Sequence, residues 1–453
     1  MKKMRLGEIA DVIAGQSPPS KTYNSTKDGL PFFQGKADFQ EKHPKIRMWC
    51  NSKKRKEAEP GDILISVRAP VGSVNLCDRL SIIGRGLSAI RPRSGIHADY
   101  LYYFFKMNED RVAILGTGST FKSITQDILK KIEVPVPYQN GSPDLDDQTR
   151  IAILLSKVEF LIAGRKKSIA DLGELLKSTF LEMFGPVNPE FEKWSIVKIK
   201  DLAADHKGAM RTGPFGSNLL HSEFTKTGEV AVLGIDNAVQ NRFSWGALRF
   251  ITHEKYEKLK NYRIFPEDVI VTIMGTVGRS AVIPKNIPLA INTKHLAAIT
   301  FDKKKANPIF MSYAIHSSPF IINQFINRNR GAIMSGLNLG IIKDTQINKP
   351  PVELQNQFAT IVEKVEALKE KYQNSLNDLE SLYGALSQKA FKGELDLSRI
   401  PITVALKPND IKMDVPQVRK PDLTVQDESV KTQETREQFL MSGRRTEESR
   451  TIF

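Results

Sequence analysis

The sequence predicts an α+β fold: two similar mixed α/β domains separated by a long antiparallel two-helix coiled coil, with pseudo-two-fold symmetry. Three observations predict it. Segments of the chain recur at an offset near 207 residues. Each copy closes on a long, proline-free stretch with heptad periodicity. The parts before those stretches alternate short apolar runs with turn residues.

The repeat is the first of these. Pro60-Gly61-Asp62-Ile63-Leu64-Ile65-Ser66-Val67 is answered by Pro266-Glu267-Asp268-Val269-Ile270-Val271-Thr272-Ile273, an offset of 206 residues, and Val71-Gly72 by Val277-Gly278 in the same register. Farther on, Gln148 pairs with Gln355, Ala152 with Ala359, Lys157-Val158-Glu159 with Lys364-Val365-Glu366 and Phe184 with Phe391, all at 207. A period that long is no solenoid repeat. It marks a domain and a helix, duplicated. The expected parts are a first domain over 1–147, a helix over 148–185, a second domain over 186–354, a second helix over 355–395 and a polar, flexible tail over 396–453.

Within the domains, Ile63–Val67 and Val269–Ile273 read as short buried strands, and Leu87–Ile90 and Leu296–Ile299 as a second equivalent pair. The aromatic-rich stretch Tyr100–Phe105 suggests a short helix packing on the sheet, with its counterpart over 308–325.

The long stretches carry seams. In the first, Ile151, Leu155, Val158, Ile162, Arg165, Ile169, Leu172 and Leu176 recur at alternating steps of four and three, as a coiled-coil core does. The second repeats the register with Phe358, Val362, Val365, Lys369, Tyr372, Leu376, Leu379 and, further along, Leu386. Gly185-Pro186 is a stop signal. The first helix carries the chain from one domain to the other and the second carries it back, so paired helices run antiparallel. About 35 residues at 1.5 Å each span roughly 52 Å, against about 34–36 Å for one turn of DNA.

Composition narrows the partners. The chain has 453 residues and a formal net charge of +15, with 40% hydrophobic and 26% charged residues. That length suits several cores, and the basic excess favours a polyanion, nucleic acid first. Two cysteines, Cys50 and Cys77, form no disulfide framework. The absence of a long apolar run predicts no membrane contact and a cytoplasmic protein.

With these landmarks the chain resembles, over roughly residues 4 to 395, the specificity subunits of type I restriction-modification systems. The resemblance rests on Gly15-Gln16-Ser17-Pro18-Pro19-Ser20, Gly29-Leu30-Pro31-Phe32-Phe33-Gln34-Gly35 and Pro60-Gly61-Asp62-Ile63-Leu64 in the first copy. In the second it rests on Gly213-Pro214-Phe215-Gly216-Ser217, Val232-Leu233-Gly234-Ile235-Asp236-Asn237 and Met274-Gly275-Thr276-Val277-Gly278-Arg279. Pro350-Pro351-Val352-Glu353-Leu354-Gln355 is similar to the family's helix-entry motif. The first copy departs there, with an insertion over Tyr138–Asp147.

The resemblance implies two target recognition domains that read a bipartite sequence in double-stranded DNA. It also implies two modification (methyltransferase) subunits and restriction (translocase/nuclease) subunits as partners. S-adenosylmethionine, ATP and Mg are expected on those partners, with no cofactor and no metal in this chain. The motif search agrees: no GxxxxGK[ST] loop, no HExxH and no nucleophile elbow occur, and Asn348-Lys349-Pro350-Pro351-Val352 only approaches an adenine-methyltransferase motif. The chain is therefore expected to be non-catalytic. The alternatives are the recognition half of a bifunctional methyltransferase/nuclease and a protein-only coiled-coil scaffold.

Direct readout uses Arg or Lys on guanine and Asn or Gln on adenine, while other cations grip phosphates. Candidates on loops beside the repeated strands are Lys36, Arg68, Arg85, Lys122 and Ser123 in the first copy. In the second they are Arg211, Asn237, Arg279, Lys294, Arg328 and Arg330. Gly84 and Gly86 around Arg85, and the small residues of Gly116–Ser123, suit close approach to a backbone.

Overall fold

Short runs of Ile, Leu and Val that are apolar at every position need cover on both faces, and both copies supply it in the same way. In the computed structural model, which describes residues 1–117, 122–328 and 336–402, the first lobe is built on β1 (Ala10–Ala14), β2 (Ile63–Ser66), β3 (Val74–Leu76) and β4 (Leu87–Pro92). They form an antiparallel sheet in the order β1-β4-β2-β3. The second lobe has β5 (Met210–Thr212), β6 (Val269–Thr272), β7 (Ser280–Val282) and β8 (Leu296–Ile299) in the order β5-β8-β6-β7. The registers match as well: Ile63 faces Leu76 and Val269 faces Val282.

The alternation of a strand sorts its side chains between two cores. Ile63 and Ile65 join Tyr100, Leu101 and Phe105 from α1 (Ala98–Met107), whereas Leu64, Leu87 and Ala89 join Phe33 and Ile83 of a second small sheet. In the second lobe Val269 and Val271 join Phe310 and Met311 from the corresponding helix Pro308–Ser317, and Ile270 and Ala298 join Ala231 and Leu233. The helix expected from Tyr100–Phe105 is present in both lobes, followed by a second helix, Glu109–Ile114 or Pro319–Arg328.

Between the lobes run two long helices, α2 (Leu145–Phe184) and, numbering Pro308–Ser317 as α3, α4 (Val352–Lys392). Each begins three residues before Gln148 or Gln355. At the first, Asp144 accepts from the Asp147 amide at 3.0 Å and serves as N-cap. The helices lie side by side in opposite directions. Ile151 and Leu155 share a core with Ala390 and Phe391 at one end, and Leu176 and Phe180 with Phe358 and Val362 at the other. Between these, Lys166 pairs with Glu380 at 2.9 Å and the Arg165 guanidinium lies 4.4 Å from the Tyr372 ring centre.

Of the seam residues, Ile151, Leu155, Val158, Leu176, Phe358, Val362 and Leu376 are buried, while Ile162, Ile169, Leu172, Val365, Leu379 and Leu386 are half-buried. The middle of the seam stays open because Arg165, Lys369 and Tyr372 occupy inward positions there and their polar ends must reach water or each other.

Two local features differ between the copies. The insertion over Tyr138–Asp147 forms a hairpin, Tyr138–Gln139 against Ser142–Pro143, turned at Asn140-Gly141 with both φ angles positive. After α4, Leu395 and Leu397 pack on the first lobe's core, so the tail is attached at its start. Residues 403–453 lie outside the described residues.

Candidate nucleic-acid interface

Strand direction decides which loops meet. In the first lobe β1 and β2 end, and β4 begins, at the same end of the sheet, because Ala14 and Ile65 both pair with Ser88. The strands Leu30–Phe33 and Ser81–Ile83 run parallel and finish there too. Gly15–Ser17, Gln34–Lys36, Val67–Gly72 and Gly84–Gly86 are thereby gathered into one cluster. The Val67 amide donates to the Gly86 carbonyl at 2.9 Å and Gly84 to Phe33 at 2.8 Å. Ser123 joins the cluster through an isolated antiparallel bridge to Arg68. The second lobe repeats the cluster: Ile273 donates to the His295 carbonyl at 3.0 Å, and Met274 bridges to Gly336.

This end collects most of the candidates. Lys36, Arg68, Arg85, Lys122 and Ser123 all sit on the first cluster, and Arg279 and Lys294 on the second. Arg85 and Lys294 are counterparts, 209 residues apart like Leu87 and Leu296, at the tip of the same crossover loop. Arg68, Arg85, Lys122, Arg279 and Lys294 are exposed. Among the described residues, none of these five charged groups has an ion-pair partner. Lys36, also exposed, lines a cleft of about 650 Å³ with Pro70, Val71, Glu109, Ile114 and Lys122. Burial raises the Glu109 carboxyl above its ordinary range, opposed by the Val74 amide, which donates to it at 3.2 Å.

Two candidates are corrected by their surroundings. Arg211 is buried, and its guanidinium donates to Asp268, to the Arg263 carbonyl at 2.7 Å and to the Gly208 carbonyl at 3.1 Å. It neutralises a carboxylate that has no exposure, and it holds the sheet together from inside. Asn237 is also buried; it accepts from the Gly234 amide at 2.8 Å and donates to the Ser244 carbonyl at 2.9 Å. It shapes the turn as Asp38 does in the first lobe, where Asp38 accepts from the Gln34 amide at 2.7 Å. Arg328 is exposed, but its guanidinium donates to the Ile341 and Asp344 carbonyls and caps a neighbouring helix. Arg330 lies outside the described residues, as do residues 118–121 of the Gly116–Ser123 loop.

The glycines beside Arg85 serve the fold. A Cβ on Gly86 would lie 2.3 Å from the Gln34 carbonyl oxygen, and one on Gly15 would lie 2.1 Å from that of Gly84. The close approach they allow is between loops of the same lobe.

A profile for the described family of type I restriction modification DNA specificity domains matches residues 1–172 and 191–380, one match per copy. The chain belongs to that family. A putative type I restriction enzyme specificity subunit, MjaX, from Methanocaldococcus jannaschii is 36% identical over 181 residues, which is 37% of this chain and 41% of that one. The chain thus matches about two fifths of that relative's length. The MjaIX specificity subunit of the same organism is 25% identical over 361 residues, 75% of this chain and 79% of its own. In structure, the S subunit of a type I system from M. genitalium covers 86% of this chain and 96% of its own, with a TM-score of 0.54 at 16% identity. That likeness speaks to the fold. As a member of that family the chain carries two type I restriction modification DNA specificity domains, and no helix among the described residues is long and apolar enough to cross a membrane.

Two groups carry no signal that the sequence analysis used. Lys45, Lys53, Lys54 and Lys56 are exposed and, among the described residues, without ion-pair partners; the run Lys53-Lys54-Arg55-Lys56 was the available signal. In the second lobe Phe215 and Trp245 are exposed near the loop cluster. Nothing in their local sequence separates an exposed ring from a buried one.

Proposed function

We propose that this chain is the non-catalytic subunit that chooses the DNA sequence for a type I restriction-modification assembly. The observation that carries the reading is the pair of equivalent loop clusters. Each stands at the same end of a repeated sheet, and each presents cations with no ion-pair partner among the described residues. Arg85 and Lys294 at matched loop tips are suited to base edges or phosphates, with Lys36, Arg68, Lys122, Ser123 and Arg279 beside them.

The two lobes read the halves of a bipartite target, and the bases between go unread. Paired α2 and α4 act as an antiparallel coiled coil about 60 Å long at 1.5 Å per residue, related to itself by an approximate two-fold axis. That symmetry suits two modification subunits, one for each half, with restriction subunits joining them. S-adenosylmethionine, ATP and Mg belong to those partners, in the cytoplasm.

Binding of the purified chain to random duplex across a salt series tests this. Affinity that falls steeply as salt rises is expected, because phosphate contacts release counterions. A chain that binds no duplex is a protein-only scaffold, and one that transfers labelled methyl groups to DNA unaided is a bifunctional enzyme. Either result overturns the reading.

A further inference from the structure

The two loop clusters differ in one respect that their shared topology does not explain. Around the first, the large apolar side chains exposed among the described residues are aliphatic, Ile114 and Leu115. Around the second they include rings, and Phe215 is 61% exposed.

Phe215 is held in place from both sides. It follows Pro214, which is buried. Two residues before the ring, Gly213 lies directly on the loop that carries Lys294: a Cβ there would be 2.2 Å from the Asn292 carbonyl oxygen and 2.3 Å from the Thr293 carbonyl carbon. Immediately after the ring, Gly216 takes the left-handed conformation at φ +60°, which turns the chain back at a position most residues avoid. A flexible loop would fold an aromatic ring against the nearest apolar surface, because leaving it in water costs the transfer free energy of its area. Here the ring is exposed on a segment that packs against the loop of Lys294, a cation without an ion-pair partner among the described residues.

We propose that Phe215 is a base-stacking wedge, inserted into one step of the half-target read by the second lobe. This rests on the reading of the chain as a DNA reader. An aromatic ring among cations is the pattern that grips nucleic acid by its bases and phosphates together, and apolar side chains pushed between base pairs open and kink a duplex. The counterpart in the first lobe is Ser17, placed by Gly15 as Phe215 is by Gly213; its hydroxyl accepts from the Arg85 amide at 3.5 Å. The first half-target is therefore read without an opened step.

The test uses the full-length chain and duplexes of its mapped target, with 2-aminopurine placed at each position in turn. Wild-type binding brightens the probe at one step in one half only. Phe215→Ala removes that signal and weakens binding by about tenfold or more, while the slope of affinity against salt stays unchanged because no phosphate contact is lost. Phe215→Trp restores the signal. The proposal is overturned if Phe215→Ala keeps both brightening and affinity. It is equally overturned if the variant binds DNA as wild type does but no longer binds a modification subunit. Failure of the wild-type chain to bind duplex sinks the DNA-reader reading itself, and shows before any variant is made.

Discussion

Gln148 and Gln355 make the same bond at the two ends of the molecule. Each is buried near the start of a long helix. The Gln148 side-chain oxygen accepts from the His97 amide at 2.9 Å, and that of Gln355 accepts from the Asn307 amide at 2.8 Å. His97 and Asn307 stand at the N-caps of α1 and α3. Each glutamine thus ties the first turn of a lobe helix to the first turns of the spacer. Its amide donates in turn to a nearby carbonyl, Gly95 at 3.0 Å or Pro350 at 2.9 Å.

Replacing either glutamine with alanine strands a buried backbone amide and carbonyl. Gln148→Ala and Gln355→Ala should each destabilise the protein by about 1–3 kcal/mol, read as a lowered melting temperature in calorimetry. An unchanged melting temperature would show that the latch contributes nothing.

Arg211 and Arg279 look alike in sequence, and the structure predicts opposite phenotypes. Arg211→Ala leaves Asp268 buried without its cation and should cost about 3–5 kcal/mol. Arg279→Ala should leave the melting temperature alone and weaken DNA binding, lowering the salt slope by about one if it holds a phosphate. Thermal unfolding and binding of the two variants side by side separate these outcomes.

That contrast marks where sequence reading stops. The repeat was legible because Pro60-Gly61-Asp62 and Pro266-Glu267-Asp268 begin apolar runs in one register, and the helices because their apolar residues alternate by four and three. Arg211 was not legible as an interior residue. The groups that surround it, Arg263, Asp268 and Thr300, lie 52 to 89 residues away and converge only when β5, β6 and β8 pair. Asn237 failed for a related reason: a turn cap and a base-reading amide are the same residue type on the same kind of loop. Arg85 and Lys294 are counterparts in sequence, each two residues before an equivalent strand, and the strand order shows that both stand at the loop end of their sheets.

His316 gives the stability a pH dependence. It is half-buried in the second lobe with Nδ1 2.9 Å from the Ser280 hydroxyl oxygen, and burial, aided by the nearby Arg279 charge, pushes its pKa down to about 4. The neutral ring is favoured in the folded protein, while the unfolded chain takes up a proton below about pH 6.5. Stability is therefore lost as pH falls from about 6.5 toward 4, by about 2 kcal/mol between pH 7 and pH 5. Melting curves at those two pH values should show the drop, and His316→Asn should remove it.

Leu172 lies in the interior of α2, in its C-terminal half. Leu172→Pro removes a helix hydrogen bond and clashes with the preceding turn, at a cost of about 3 kcal/mol or more. The variant should lose tight binding to the full target yet keep lobes with a near-wild-type circular dichroism signal. Tight binding that survives this break would mean the spacer does not set the distance between the readers.

The most direct measurement is selection of random duplexes by the purified full-length chain, followed by sequencing of what it retains. Two equivalent readers at the ends of one spacer predict two short blocks of fixed sequence separated by a gap of constant length and random composition. A single uninterrupted block, or two blocks with a freely varying gap, would contradict it.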